Sequence, residues 1–221
     1  MKAAMTQTAE QIETALTQAE LFRETLWPQR ATQLAEAAST IQKDLAPHFA
    51  TMARQQAELL ELSWPDQIDA FLVTDCYDPR GAYSHPLTVD ISHNVGSTLC
   101  ETLLHEATHV ADVHTSHLGQ HTLRNKVIEH LRGTGLHLSA TQAWNVWHAI
   151  IFASSAYQVH TNIDPDHTDY ALPRNLYAQF GVADLPTWWR RFAAQEIDEQ
   201  EFLEGVVYDL TSGLRARTEQ S

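Results

Sequence analysis

Residues 105–109 read His105-Glu106-Ala107-Thr108-His109, two histidines four apart with a glutamate beside the first. On a helix, side chains at i and i+4 stand one above the other roughly 6 Å apart, so both imidazoles reach one cation from the same side. Glu106 falls about 100° around the helix from His105, where it reaches a water on that cation without being a ligand. The chemistry this spacing offers is metal-assisted hydrolysis. Two neutral imidazoles hold Zn²⁺, and the Glu106 carboxylate acts as general base on water. A chain of this composition produces the pattern by chance with probability about 0.05, so its setting has to decide.

The setting is helical. Thr98-Leu99-Cys100-Glu101 reads as a Ser/Thr-x-x-Glu capping box. Leu99, Leu103, Leu104, Ala107, Val110, Ala111 and Val113 supply apolar cover, with no Gly or Pro between 97 and 118. Asp112 falls on the ligand face, where a carboxylate orients an imidazole through its other ring nitrogen. Further on, residues 144–153 (Trp-Asn-Val-Trp-His-Ala-Ile-Ile-Phe-Ala) are apolar nearly all round, which predicts a central buried helix. His148 inside it needs a partner. A metal would serve, making His148 the third ligand; a backbone carbonyl or Ser hydroxyl would instead make it a satisfied core histidine. His114, His117 and His121 follow the motif and read as a solvated helix end.

The rest of the chain must carry these helices. It has 221 residues, enough for one domain or one domain with an appendage, and 13 of them are histidine. A net charge of −14 leaves no electrostatic footprint for nucleic acid or anionic lipid, so neither is expected as a partner. No apolar run approaches the ~20 residues of a membrane span, and the first residues are polar, so a cytoplasmic protein is expected. Cys76 and Cys100 are too few for a disulfide framework, and Cys100 reads as a buried, inert thiol.

Residues 6–62 lack Gly and follow helical spacing, broken at Pro28 and bent near Pro47. This predicts an N-terminal helical hairpin over residues 1–63, packed on a unit spanning 64–221. Residues 70–74 read as a short buried strand, 77–82 as a turn, and 87–92 as a half-exposed strand, the two strands pairing as a hairpin. Helices are expected over 98–114, 120–132, 141–161, 186–195 and 198–217. The fold class is mainly α with a small β-sheet (α+β).

Residues 103–112, Leu-Leu-His-Glu-Ala-Thr-His-Val-Ala-Asp, resemble the zincin metallopeptidases, in particular the gluzincin form, in which an acid follows the motif one turn later. The metzincin form does not fit: Asp112 stands where a Gly is wanted and Thr115 where a third His would fall. The resemblance implies a zincin-like domain and zinc-dependent hydrolysis of a peptide or protein substrate, with strand 87–92 as the edge that lines the cleft. It implies a glutamate ligand from a later helix, and Glu129 stands twenty residues after His109. Residues 147–152 with Ala156-Tyr157 are also similar to helices of uncharacterised bacterial His-Glu-x-x-His proteins, in which a Gly-Glu pair occupies the place of Ala156-Tyr157. On that likeness the third ligand here falls to Tyr157 or His160. Oxyanion donors in such enzymes are downstream Tyr and His residues, and Tyr170, Arg174 and Tyr177 are the candidates here. The alternative to an enzyme is a non-catalytic zincin-fold protein that binds zinc and acts through its helical surface.

Overall fold

A computed structural model describes residues 2–74, 81–136 and 138–218. It is mainly helical with one three-stranded sheet. The N-terminal run comprises α1 (Lys2–Thr25), α2 (Trp27–Thr40), a π-helical turn (Ile41–Leu45) and α3 (Ala46–Leu60). Leu26, Thr40, Leu45 and Ala46 at its joints all keep right-handed helical torsions. Pro28 and Pro47 each sit in a first helical turn, where a missing N–H leaves no bond unmade. The joints therefore bend the run without reversing it, in place of the expected hairpin. Every described side chain of α1 from Glu13 to Thr25 is exposed, whereas α3 buries Met52, Gln56 and Leu60. The run leaves helix at Glu61, in the left-handed region.

The sheet corrects the expected pairing. β1 (Phe71–Val73), β2 (Ala82–Ser84) and β3 (Leu87–Asp90) stand in the order β1-β3-β2. β1 and β3 are adjacent but parallel, Leu72 opposite Val89, so they are not a hairpin. The hairpin is β2–β3, with Tyr83 opposite Thr88. β3 is thus the central strand and β2 the edge. Alternation along 87–92 identified the buried face, on which Leu87 and Val89 lie, but alternation is the same in a central and an edge strand. Most of the expected turn, residues 77–80, lies outside the described residues along with Cys76, while Ala82 belongs to β2.

α4 (Gly96–His117) carries the motif and packs between the sheet and α6 (Ala140–Asn162). Leu99, Cys100 and Leu104 join Leu87, Val89 and Met52 in one apolar cluster. The Cys100 thiol is fully buried, and burial pushes it up to about 12, where it is inert. A larger cluster forms where α6 meets α5 (Leu123–Gly133), α8 (Leu185–Ala193) and α9 (Glu199–Thr218), around Trp147, Ile150, Trp189 and Phe202. A short helix α7 (Leu176–Phe180), not anticipated from the sequence, follows the α6–α7 connection. No helix among the described residues is long and apolar enough to cross a membrane.

A buried polar network fixes α4 against α6. The Thr108 hydroxyl lies 3.0 Å from Gln56 Oε1, and Gln56 Nε2 donates to the Ser154 hydroxyl at 3.1 Å. All three residues are fully buried. Such groups are costly to leave unpaired, so they hold one register of α3, α4 and α6. Thr108 lies between the two motif histidines, so the register it fixes also fixes where they point.

Candidate metal centre and its cavity

The imidazoles of His105 and His109 project from α4 toward His148 on α6. His105 Nε2 lies 2.9 Å from His148 Nε2 and 3.2 Å from His109 Nε2. One ring nitrogen from each lies within 4.8 Å of the others, so the three could hold a metal ion. Tetrahedral ligands at 2.0–2.1 Å from zinc stand about 3.4 Å from one another, close to the His105–His109 separation. Protonation states agree. Burial, then the neighbouring His109 and His148, hold His105 well below its ordinary range. Burial, then His148, lower His109 to about 3, and burial lowers His148 to about 4. All three are neutral at pH 7, the form that ligates metals.

Aromatic rings orient these imidazoles. His109 stacks on Trp144 at 5.4 Å, and His148 stacks on Phe152 at 4.8 Å and on Phe180 at 6.0 Å. The ring of Phe152 also lies 4.1 Å from that of His105. Trp144, His148 and Phe152 are spaced i, i+4, i+8 on α6, so one stripe supplies a candidate ligand and two ring walls. That spacing was visible in the sequence, but the segment is apolar all round and no face stood out.

The expected orienting role of Asp112 is not what forms. Its Oδ2 accepts from Arg124 Nη1 at 3.0 Å and Trp147 Nε1 at 3.1 Å, tying α4 to α5 and α6. His105 Nδ1 and Asp112 Oδ1 are buried with no hydrogen-bond partner among the described residues. Asp112 lies on the motif stripe but one turn beyond His109, where Arg124 and the Trp147 indole reach it instead.

The other third-ligand candidates lie elsewhere. Glu129 is on the exposed face of α5, paired with His121 at 3.1 Å. Tyr157 packs against the large apolar cluster, and His160 is exposed near the end of α6. Helical geometry explains this: Tyr157 and His160 lie nine and twelve positions beyond His148, more than two turns along the axis.

The three histidines open onto a cavity of about 600 Å³ that Glu106 also lines. Its walls include edge strand β2 with His85, and Tyr170, Arg174 and Phe180. Tyr177, by contrast, is buried and donates to Asp169 Oδ2 at 2.6 Å, so of the expected oxyanion donors only Tyr170 and Arg174 reach the cavity.

Glu101 does not cap the helix as its spacing from Thr98 suggests. α4 begins at Gly96 after an extended Val95, without a side-chain cap, so Glu101 lies past the first turn and faces inward. Its Oε2 lies 2.6 Å from His167 Nε2 and accepts the Tyr170 N–H at 3.0 Å. The other nitrogen of His167 meets the Ser97 hydroxyl at 3.0 Å. Burial raises the Glu101 carboxyl, and the His167 bond pulls it back. Glu101 is one turn before His105, so a single stripe of α4 holds both the motif and the anchor of the α6–α7 connection. Glu101→Ala is expected to free this connection, raising amide hydrogen exchange at Tyr170 by about tenfold, since leaving a buried hydrogen-bonding group unsatisfied costs about 1–3 kcal/mol. Glu101→Gln, which keeps an acceptor, should do less. Unchanged exchange in the alanine variant would show that other contacts hold the connection.

No protein-family model matches this chain, and no curated protein or solved structure matches it significantly.

Proposed function

We propose that this protein is a zinc-dependent hydrolase that cleaves peptide bonds. The observation that carries the reading is the convergence of three neutral imidazoles on the wall of an open cavity, with Glu106 lining the same cavity. Structural zinc sites are closed by four protein ligands, whereas catalytic ones use three and keep a position for water or substrate. Among the described residues the group has three members and faces a cavity, which favours catalysis over purely structural metal binding.

His105, His109 and His148 would hold the ion, and imidazole donors suit zinc as well as other late transition metals. A zinc ion held there would supply a Lewis acid able to lower the pKa of water toward neutrality. Glu106 takes the proton of the attacking water and returns it to the leaving amine. Edge strand β2 runs along the cavity wall, where an extended peptide can add to the sheet, which favours a peptide as substrate. Tyr170, which lines the same cavity, is the candidate donor toward the developing oxyanion.

The direct test is hydrolysis of a mixed peptide library by protein purified without an affinity tag. Cleavage should require about one zinc per chain, cease with chelator and return when zinc is restored. A zinc-loaded protein that cleaves no peptide would overturn the reading.

A further inference from the structure

Among the described residues lining the cavity, Arg174 is the one Lys or Arg. Its guanidinium lies 3.7 Å over the Tyr170 ring, and Nη1 donates to the Tyr170 carbonyl at 2.9 Å. The ring thus covers one face of the guanidinium and the carbonyl takes one of its five donors. No carboxylate among the described residues pairs with it, although the chain carries 28 Asp and Glu against 14 Lys and Arg. The arginine is held in place yet left with open donors.

Its support is built in. The Tyr170 backbone hangs on the buried Glu101 carboxylate, and the next residue's N–H, from Ala171, donates to buried Asp169 at 2.7 Å. Asp169 is in turn fixed by Tyr177. Stacked rings then lead back to the histidines: Tyr170 lies 5.9 Å from Phe152 with the planes 5° apart, and Phe152 lies 4.1 Å from His105. The cavity therefore has a basic end and a metal-binding end joined by an aromatic wall.

We infer that Arg174 is a specificity-determining residue that binds a carboxylate of the substrate, at the end of the cavity away from the histidine cluster. The inference rests on the hydrolase reading for calling the ligand a substrate; the anion site itself does not. A planar guanidinium with free edge donors matches a carboxylate in bidentate fashion, which a lysine ammonium does not. Two sources have this chemistry, a peptide's C-terminal carboxylate and an acidic side chain.

The test measures binding by calorimetry on zinc-loaded Glu106→Gln protein, which does not consume the ligand, with and without Arg174→Gln and Arg174→Lys. The probes are acetyl-Ala-Leu-Phe as free acid, the same peptide amidated, and amidated acetyl-Ala-Leu-Glu. At least one carboxylate-bearing probe should bind about tenfold or more tightly than the neutral amide. That preference should vanish in Arg174→Gln and fall to an intermediate value in Arg174→Lys. Preference for the free acid assigns the terminal carboxylate, and preference for the glutamyl amide assigns a side chain. Equal affinities for all three probes, or a preference that survives Arg174→Gln, would overturn the inference. If the preference follows Arg174 while wild-type protein cleaves nothing, the anion site stands and the hydrolase reading falls.

Discussion

Glu106→Gln is expected to lower peptide hydrolysis by a factor on the order of 10²–10⁴ while zinc content stays near one per chain. The substitution keeps the size of the side chain and its place on the cavity wall, but an amide has no lone pair basic enough to take the proton of the attacking water. Glu106 is half-buried on α4, next to His105 and outside the three-histidine group, so its loss removes a proton acceptor and leaves the ligand set whole. The loss should appear in kcat more than in KM, because proton transfer matters in the transition state. Activity retained within a few-fold would remove Glu106 from the mechanism. Activity lost together with zinc would mean that Glu106 contributes to the ligand set.

His148→Ala is the sharper test of the tertiary structure, since nothing in the motif itself names His148. Zinc affinity should fall by a factor on the order of 10²–10³, the share of one ligand in a structural site worth about 10–16 kcal/mol over four. Elemental analysis after dialysis against a weak chelator reads this directly. Glu129→Ala, on the exposed face of α5, should leave zinc content untouched. The opposite pattern would return the third ligand to α5.

The same cluster sets a pH dependence in the metal-free protein. Folding holds His109 at about 3 and His148 at about 4, below the roughly 6.5 of an unfolded chain. Above pH 6.5 both states are neutral and the stability is fully present. As pH falls below 6.5 the unfolded chain takes up protons that the folded one refuses, so stability declines toward pH 4. Buried carboxyls with raised values, such as Glu101 and Asp169, act in the opposite sense. Comparison with His148→Ala isolates the imidazole part. Its melting temperature in chelator should decline less between pH 6.5 and 4 than that of the parent, and an equal decline would mean that burial of His148 does not govern its charge.

Much of the fold was legible because helices are local. The expected helices 98–114, 120–132 and 141–161 lie within α4, largely within α5, and within α6. Their hydrophobic periodicity and the scarcity of Gly and Pro are properties of neighbouring residues. The sheet was less legible. Residues 87–92 announced a strand, but whether a strand is central or an edge depends on partners distant in the chain, and three-residue β2 is too short to show a period.

At the site, the sequence alone determined that His105 and His109 share one face of a helix and that Glu106 lies beside them, because i, i+4 geometry follows from the backbone. It also singled out His148 as a buried group in need of a partner. Only the tertiary structure decided that this partner is the motif pair, and that Glu129, Tyr157 and His160 lie apart from it. The register of α6 on α4 makes that choice, and residues far from the motif set the register: Gln56 bonded to Thr108 and Ser154, and Asp112 bonded to Trp147. Glu101 shows the same limit from the other side. A glutamate near a helix start satisfies the capping pattern from sequence, and only the packing of residues 167–170 against α4 turns it inward to hold the cavity wall. Spacing along one helix is encoded within a few residues, whereas the meeting of two helices is a balance of buried contacts spread over the whole chain.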